Sequence, residues 1–437
     1  MTGLALAHAP PPARPLRFLL SVPLWGMAAG ALLVADPDAL AAGRWAPSAV
    51  VLVHLFTLGV LGNAMLGSLL QFLPVAAATA VPGAARLAPL AHAALNAGLL
   101  LFALALYHRP AWLLPAAALM GAALLGVVLP PLPALLRRGG QRLLRAGIGM
   151  ALLALVATIA SGLLGAAVFG GWQLLALDRV VDAHAMLGLG GWMLCLLGTV
   201  ASVTMPMFQG SVAVPPRALR AWLVATGVLL AGGVLARLAG APGWLPALAL
   251  ALPATTFALG VLWLQWRPPH RRNPALVRAW RVGGSCLVLA GLALCAAASG
   301  GGQRAGMAAG VLAIGVGLPL LVNGMLLEIV GFITWIALRG RCPRGVRILA
   351  VGRLLPDRDK HLALCAHLLA AVLLPLALAW PALAPLAGIA LVAAYAGSGL
   401  CMLACLQRAR VFAREHAQPP ARQAPHARPS HAARPGD

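Results

Sequence analysis

Two histidines stand inside long apolar stretches of the sequence, and they are the strongest candidates for chemistry. His54 begins the stretch HLFTLGVLGNAMLGSLLQFLP, and His184 begins HAMLGLGGWMLCLLGTVASVTMP. Imidazole is the commonest metal ligand in proteins, and it also holds haem iron. An imidazole inside a membrane needs a partner, because burying a lone polar group costs free energy. Each histidine is therefore either a haem or metal ligand or a packing residue that is hydrogen-bonded to a neighbouring helix.

Glycines follow both histidines at helical spacing. Gly188 and Gly191 lie on the same helical face below His184, and Gly62 lies below His54. One use of such a stripe is to let helix backbones approach closely, as in many membrane proteins. The other use is a flat slot for a planar ring such as a porphyrin, which makes these three glycines candidate cofactor-binding residues.

The composition identifies the elements that must position these residues. Hydrophobic residues make up 61% of the 437 positions and charged residues only 9%. That balance is typical of an integral membrane protein, and runs of about 20 apolar residues match the thickness of the hydrocarbon layer. The runs lack the alternation of a barrel strand, so we expect an all-α polytopic fold. Seven scattered cysteines without a CxxC pair are expected to be apolar fillers.

The apolar runs predict twelve transmembrane helices between residues 16 and 406. Residues 1–15 are expected to form a cytoplasmic N-terminal tail and residues 407–437 a disordered basic cytoplasmic tail. The predicted spans are 16–35, 48–76, 87–107, 111–136, 146–171, 180–206, 218–239, 244–266, 276–299, 306–338, 361–381 and 384–406.

The positive charges predict the orientation of these spans. The chain carries a formal charge of +23, and its strongly basic connections follow the fourth, sixth, eighth and tenth predicted spans. Since arginine and lysine collect on the cytoplasmic side, both termini are expected to be cytoplasmic. We therefore expect a multi-pass protein of the bacterial inner membrane. Its positive charge is explained by its topology in the lipid bilayer and not by binding to nucleic acid.

The orientation assigns a depth to the two histidines. His54 is expected about 9 Å below the outer end of the second span, and His184 about 6 Å below the start of the sixth, at a rise of 1.5 Å per residue. Both imidazoles are thus expected in one layer near the periplasmic face. Asp182 is a candidate second-shell carboxylate for His184, or else part of the outer loop that holds Asp178 and Arg179.

Further polar residues lie toward the cytoplasmic side. Glu328 and Asn323 in the tenth span mark a candidate proton or ion path, although Glu328 is equally suited to pairing with a basic residue of the nearby loop. Three other histidines are expected near the inner interface in structural roles, namely His92, His361 and His367.

The histidine, the glycines and the proline of the second span resemble the ligand-bearing helices of the haem-copper oxidase subunit I superfamily. The chain is also similar to the NnrS family, haem- and copper-associated membrane proteins of the nitric oxide response. The resemblance implies twelve helices in three four-helix quasi-repeats, with His54 as a haem ligand and His184 as a haem or copper ligand. The two histidines are 130 residues apart (184 − 54 = 130).

The sequence departs from the oxidase pattern in its third repeat. A further 130 residues lead to Ile314, in the run AAGVLAIGVG, which holds no histidine. A complete oxidase centre is therefore not expected, and the predicted role is redox chemistry, nitric oxide response or metal handling, with a respiratory or redox protein as partner. The alternative is a metal-free permease that uses a central cavity with Glu328 and Asn323.

Overall fold

The computed structural model describes residues 5–137, 141–267, 273–343 and 345–416, and these contain helices and no strand. Long apolar helices account for most of the described chain, as the all-α membrane prediction requires. We number them α1 (Ala13–Ala35), α2 (Pro47–Ala76), α3 (Ala84–His108), α4 (Pro110–Val128), α5 (Arg142–Phe169), α6 (Leu177–Gln209), α7 (Pro216–Leu238), α8 (Trp244–Trp266), α9 (Pro274–Ala296), α10 (302–341), α11 (Asp357–Ala379) and α12 (Pro381–Glu415).

The helical stretch Pro274–Arg341 contains two segments that run in opposite directions. Counted as one, it is 68 residues long and the structure has 11 candidate membrane spans within the described residues. The backbone leaves helical geometry at Ser299 and at Gly300, whose φ is +104°. Only glycine adopts such a value without strain. The chain reverses there, so that α9 and α10 pack side by side and the Trp280 indole N–H donates to the Leu321 carbonyl at 2.9 Å.

Two of the predicted span ends differ from the structure by more than four residues. α4 ends at Val128, and a separate short helix follows at Leu132–Leu136. Pro130 and Pro131 explain the break, because neither can donate a backbone hydrogen bond. α12 continues to Glu415, past the predicted start of a disordered tail at residue 407. There Arg408 donates to the Leu354 carbonyl and to Asp359, which holds the extra turns against the rest of the protein. Residues 417–437 lie outside the described part of the chain.

The twelve helices pack as a closed ring of neighbours. α4 contacts α5, α8 contacts α9, and α12 returns to contact α1. Small residues make the last contact close: a Cβ atom added to Gly388 would lie 2.5 Å from the Gly30 carbonyl oxygen. Lipid tails are as apolar as the side chains of a helix, so burial of apolar surface does not by itself drive two helices together in a membrane. Close backbone contact is therefore a main source of helix association.

Three helices have a similar irregular segment near one end of the ring. The helical turns widen to π-helix at Leu55–Gly62 in α2, Met186–Leu194 in α6 and Val311–Gly317 in α10. The first begins directly after His54 and the second two residues after His184. π-Helical turns are rare and occur mainly at functional sites. We call the end of the ring that carries the two histidines the histidine end, and the opposite end, which carries Arg217 and Arg339, the basic end.

We predict that closure of the ring depends on Gly388. The variants Gly388→Ala and Gly397→Ala both gain the helix propensity of alanine. Only the first forces a Cβ atom against backbone, since nothing lies within 4 Å of a Cβ at Gly397. Gly388→Ala should therefore lower the free energy of unfolding by roughly 1–3 kcal/mol, measured as a lower thermal midpoint in detergent, while Gly397→Ala should not. Equal midpoints for the two variants would contradict the packing.

Candidate functional site

The structure brings His54 and His184 together at the histidine end. Their ring centroids are 6.3 Å apart and their planes are inclined by only 18°. The two residues come from different helices, α2 and α6, and from positions 130 apart in the sequence. Both side chains are half-buried. The pair is therefore a product of the packing of α2 and α6.

Both imidazoles are held through the Nδ1 atom. His54 Nδ1 lies 2.8 Å from the Val50 carbonyl oxygen, and His184 Nδ1 lies 3.0 Å from the Thr158 carbonyl oxygen in α5. A carbonyl only accepts hydrogen bonds, so each Nδ1 carries the hydrogen and each Nε2 keeps its lone pair. Among the described hydrogen bonds none involves Nε2 of either ring. Both rings thus have the tautomer and the fixed orientation of a metal-ligating histidine.

Neighbouring residues shape the space around the two rings. Phe102 of α3 lies against His54, with 4.5 Å between ring centroids. Gly162 of α5 makes room for His184, because a Cβ atom there would come within 3.0 Å of its Cε1 atom. Within the described residues, no group of three or more histidine, cysteine, aspartate or glutamate side chains is placed to hold a metal ion. The donor set at this site is consequently two neutral imidazoles.

Protein atoms lie close to the candidate cofactor-binding glycines. A Cβ at Gly191 would lie 2.6 Å from the Ala154 Cβ, and one at Gly188 would lie 3.3 Å from the Thr158 side chain. Gly62 contacts the widened turn of its own helix, 3.2 Å from the Thr57 carbonyl. The stripe below His184 therefore lets α5 approach α6 closely.

Asp182, the candidate second-shell carboxylate for His184, pairs with two arginines in the structure. Its two carboxylate oxygens accept from Arg44 and Arg237, each at 2.8 Å. Arg237 also binds Asp178 at 2.5 Å. Asp182 and His184 are two positions apart on one helix, so their side chains leave the helix on nearly opposite faces. The Asp182 carboxylate is thus turned away from the His184 ring. The group that orients His184 is the Thr158 carbonyl, with Ser161 Oγ at 3.4 Å.

The other membrane histidines have partners of their own. His92 Nε2 lies 2.7 Å from Ser21 Oγ, and His367 Nε2 lies 2.9 Å from Ser398 Oγ. His361 bonds the Asp357 carbonyl at 2.7 Å. None of the three contacts the histidine pair, and all are satisfied by local contacts, as expected for structural residues.

Glu328 forms a buried ion pair at the basic end of α10. Its Oε1 atom accepts from Lys360 Nζ at 3.1 Å and from Asn273 Nδ2 at 2.5 Å. The side chains of Glu328 and Lys360 are 8% and 9% exposed, so the charges compensate each other away from water. Lys360 also reaches the surface carboxylate of Asp357 at 2.8 Å. The partner of Glu328 is thus the single lysine of the chain.

Asn323 lies one to two turns from Glu328 on the same helix. Its Nδ2 atom donates to the Tyr395 hydroxyl at 3.1 Å, whereas its buried Oδ1 atom has no partner among the described residues. Asn323, Glu328, Lys360 and His367 line a cavity of about 30 Å³ between α9, α10, α11 and α12. This volume is about the volume that one water molecule occupies in liquid water.

A larger cavity lies between α2, α6 and α10. It has a volume of about 100 Å³ and is lined by neither Glu328 nor Asn323. These two residues line the smaller cavity between α9, α10, α11 and α12. No family model and no curated protein matches the chain.

Sequence reasoning missed Lys360, Asn273 and Tyr395 as partners in this cluster. The predicted eleventh span begins at residue 361 and leaves Lys360 outside it, whereas α11 begins at Asp357 and includes the lysine in its first turn. The sequence contains one signal for this ion pair, because a carboxylate buried in a membrane helix needs a cation as its partner.

We predict that removing Lys360 alone destabilises the protein more than removing the whole pair. Lys360→Met leaves the Glu328 charge buried without its cation, which typically costs about 3–5 kcal/mol. Adding Glu328→Gln removes that charge and keeps an acceptor for Asn273, so the double variant should recover most of the loss. Thermal unfolding in detergent measures both values. A double variant that is as unstable as Lys360→Met would refute the ion-pair interpretation.

Proposed function

We propose that this protein binds haem or a copper ion through His54 and His184, in a membrane protein of haem-copper oxidase or NnrS-like architecture. The observation that carries the proposal is the facing pair of imidazoles, each fixed through Nδ1 with its Nε2 atom unbonded. Bound iron or copper would supply one-electron redox chemistry. The protein would supply the two ligands and hold their orientation.

The spacing of the rings supports the proposal. The two ring centroids are 6.3 Å apart, which is close enough for His54 and His184 to act as two ligands of one site. Zinc sites need three or four protein ligands, whereas haem brings four nitrogens of its own. The two-imidazole donor set therefore suits haem iron or copper(I) better than zinc.

The helix packing supports three quasi-repeats of four helices, α1–α4, α5–α8 and α9–α12. In each group the first helix packs on the second and the third on the fourth, and the last helix of each group contacts the first of the next. The second helix of each group, α2, α6 or α10, carries a π-helical segment. Ile314 lies in the α10 segment, so the third repeat offers no imidazole there.

An incomplete ligand set favours a role in redox chemistry, nitric oxide response or metal handling over oxygen reduction. A respiratory or redox protein is the proposed partner. The arginines of the basic end support a bacterial inner membrane location with both termini in the cytoplasm, and in that orientation the histidine pair would lie near the periplasmic face.

The optical spectrum of the purified protein tests the proposal. Protein expressed with haem supply is expected to show a Soret band, or to contain copper by metal analysis, and His54→Ala and His184→Ala should each lose the signal. His92→Ala is the matched control, because His92 is also a membrane histidine but bonds Ser21 at the other end. The proposal fails if wild type carries neither haem nor copper, or if all three variants retain the signal equally.

A second candidate function is a permease that couples transport to a proton or cation. The observation that favours it is the Asn323 Oδ1 atom, which is buried beside the Glu328–Lys360 pair without a partner. Buried ionisable groups inside membrane bundles often mark ion pathways.

In reconstituted vesicles, this second candidate predicts solute or proton flux that Glu328→Gln abolishes. Asp359→Asn serves as a control, because Asp359 pairs with Arg408 at the surface of the same end. Flux that persists in Glu328→Gln, or no flux in wild type across the solutes tested, counts against a permease.

A further inference from the structure

The cavity between α2, α6 and α10 is distinct from both sites described above. The segments 64–76 of α2, 196–208 of α6 and 322–332 of α10 line it, all on the basic-end side of the π-helical turns. It begins ten residues after His54 along α2 and does not contact either histidine of the pair. We call it the axial cavity, because one helix of each four-helix group contributes to it.

The axial cavity is apolar and narrow. Leucine, valine, methionine and phenylalanine side chains form most of its lining, and its volume is about 100 Å³. Its lining extends along α2 from Ala64 to Ala76, a distance of about 18 Å along the helix. Apolar cavities of about 150 Å³ stay free of water and take up small apolar molecules. The apolar lining and the extent of the cavity along the helices favour an extended hydrocarbon chain over a compact polar solute.

Aromatic side chains limit the cavity at the basic end. Phe208 of α6 and Phe332 of α10 meet edge to face, with 6.1 Å between their centroids, and Trp335 stacks on Phe332. Phe208 and Phe332 both line the cavity. These aromatic rings make the basic-end part of the lining apolar, as an occupant from the lipid phase requires.

One polar side chain of this lining is left without a partner. Gln71 of α2 is 6% exposed, and neither its amide nitrogen nor its amide oxygen has a hydrogen-bond partner among the described residues. An unsatisfied buried polar group typically costs about 1–3 kcal/mol. The amide can donate to a carbonyl and can accept from a hydroxyl. An occupant with such a group would satisfy it.

We propose that the axial cavity binds a single-chain, lipid-soluble molecule whose hydroxyl or carbonyl group pairs with Gln71. The chain runs from Gln71 toward Ala64, a distance of about 10 Å along the helix, among the apolar side chains of α2, α6 and α10. Isoprenoid quinones and acyl lipids share this chemistry. Organic extraction of the purified protein separates these two sources, because a quinone absorbs in the ultraviolet and an acyl lipid yields fatty acids on hydrolysis.

The probes 1-octanol and n-octane test the role of Gln71. The extended chain of 1-octanol is comparable in length to the segment between Gln71 and Ala64, and n-octane lacks only the hydroxyl group. Thermal midpoints of the full-length protein in detergent are measured with each probe at equal micellar mole fraction. Wild type is expected to bind 1-octanol roughly fivefold more tightly than n-octane, as one hydrogen bond of about 1 kcal/mol implies.

Gln71→Leu should lose the preference for 1-octanol and keep the response to n-octane. Gln173→Leu, in an exposed loop at the histidine end, is the matched control and should behave as wild type. Partitioning into micelles is the same for every variant, so it cannot produce this difference. Equal responses of wild type to both probes, or a preference that survives in Gln71→Leu, would overturn the proposal.

Photolabelling of wild type with a diazirine-bearing octanol gives a second readout that needs no variant. The label is expected on cavity residues such as Met65, Met325 and Phe208, and excess 1-octanol should compete it away. Labels confined to lipid-facing residues such as Leu400, which is 67% exposed, would overturn the assignment. Neither result depends on haem or copper at the histidine pair, so failure here is distinguishable from failure of the proposed function.

Discussion

A polar group in the interior of this bundle must find its partner within the protein. Water does not reach the hydrocarbon layer, and an unpaired group there costs several kcal/mol. This constraint explains why His54 and His184 bond carbonyls through Nδ1, why Glu328 is paired with Lys360, and why His92 and His367 each bond a serine. The polar side chains that remain unpaired are consequently the informative ones.

The Gln71 amide and the Oδ1 atom of Asn323 are two such groups, and each residue lines a different cavity. The axial cavity is apolar with one amide, which suits a hydrocarbon chain that ends in a polar group. The cavity of α9–α12 is about 30 Å³ and contains an ion pair, which suits water. The same ring of helices thus creates two chemically different interior sites, and neither lies at the histidine pair.

Close backbone contact makes this arrangement possible. At Gly30 and Gly388 the helices α1 and α12 approach until a methyl group would not fit, and at Gly191 α5 approaches α6 in the same way. Because α5 lies so close, its Thr158 carbonyl can orient the His184 ring. The glycines therefore contribute to the histidine pair indirectly, through helix packing.

Local sequence determined which parts of the chain are membrane helices. Runs of apolar residues of sufficient length must be helical in hydrocarbon, so most span positions followed from composition alone, and prolines and positive-φ glycines set the exceptions at α4 and at Gly300. Spacing also indicated that His54 and His184 enter their helices at similar depths. The partners of the polar groups, however, lie on other helices.

Only the tertiary structure decided those partners. Helical periodicity shows on which face of its helix a residue lies, but it does not show which other helix packs against that face. It assigned Asp182 to Arg44 and Arg237, Glu328 to Lys360, and Gly191 to Ala154. The separation of 6.3 Å between the imidazole rings likewise depends on how α2 and α6 are rotated in the ring of helices. A rotation of either helix by one residue would turn its histidine by about 100°, and nothing within one helix fixes that angle.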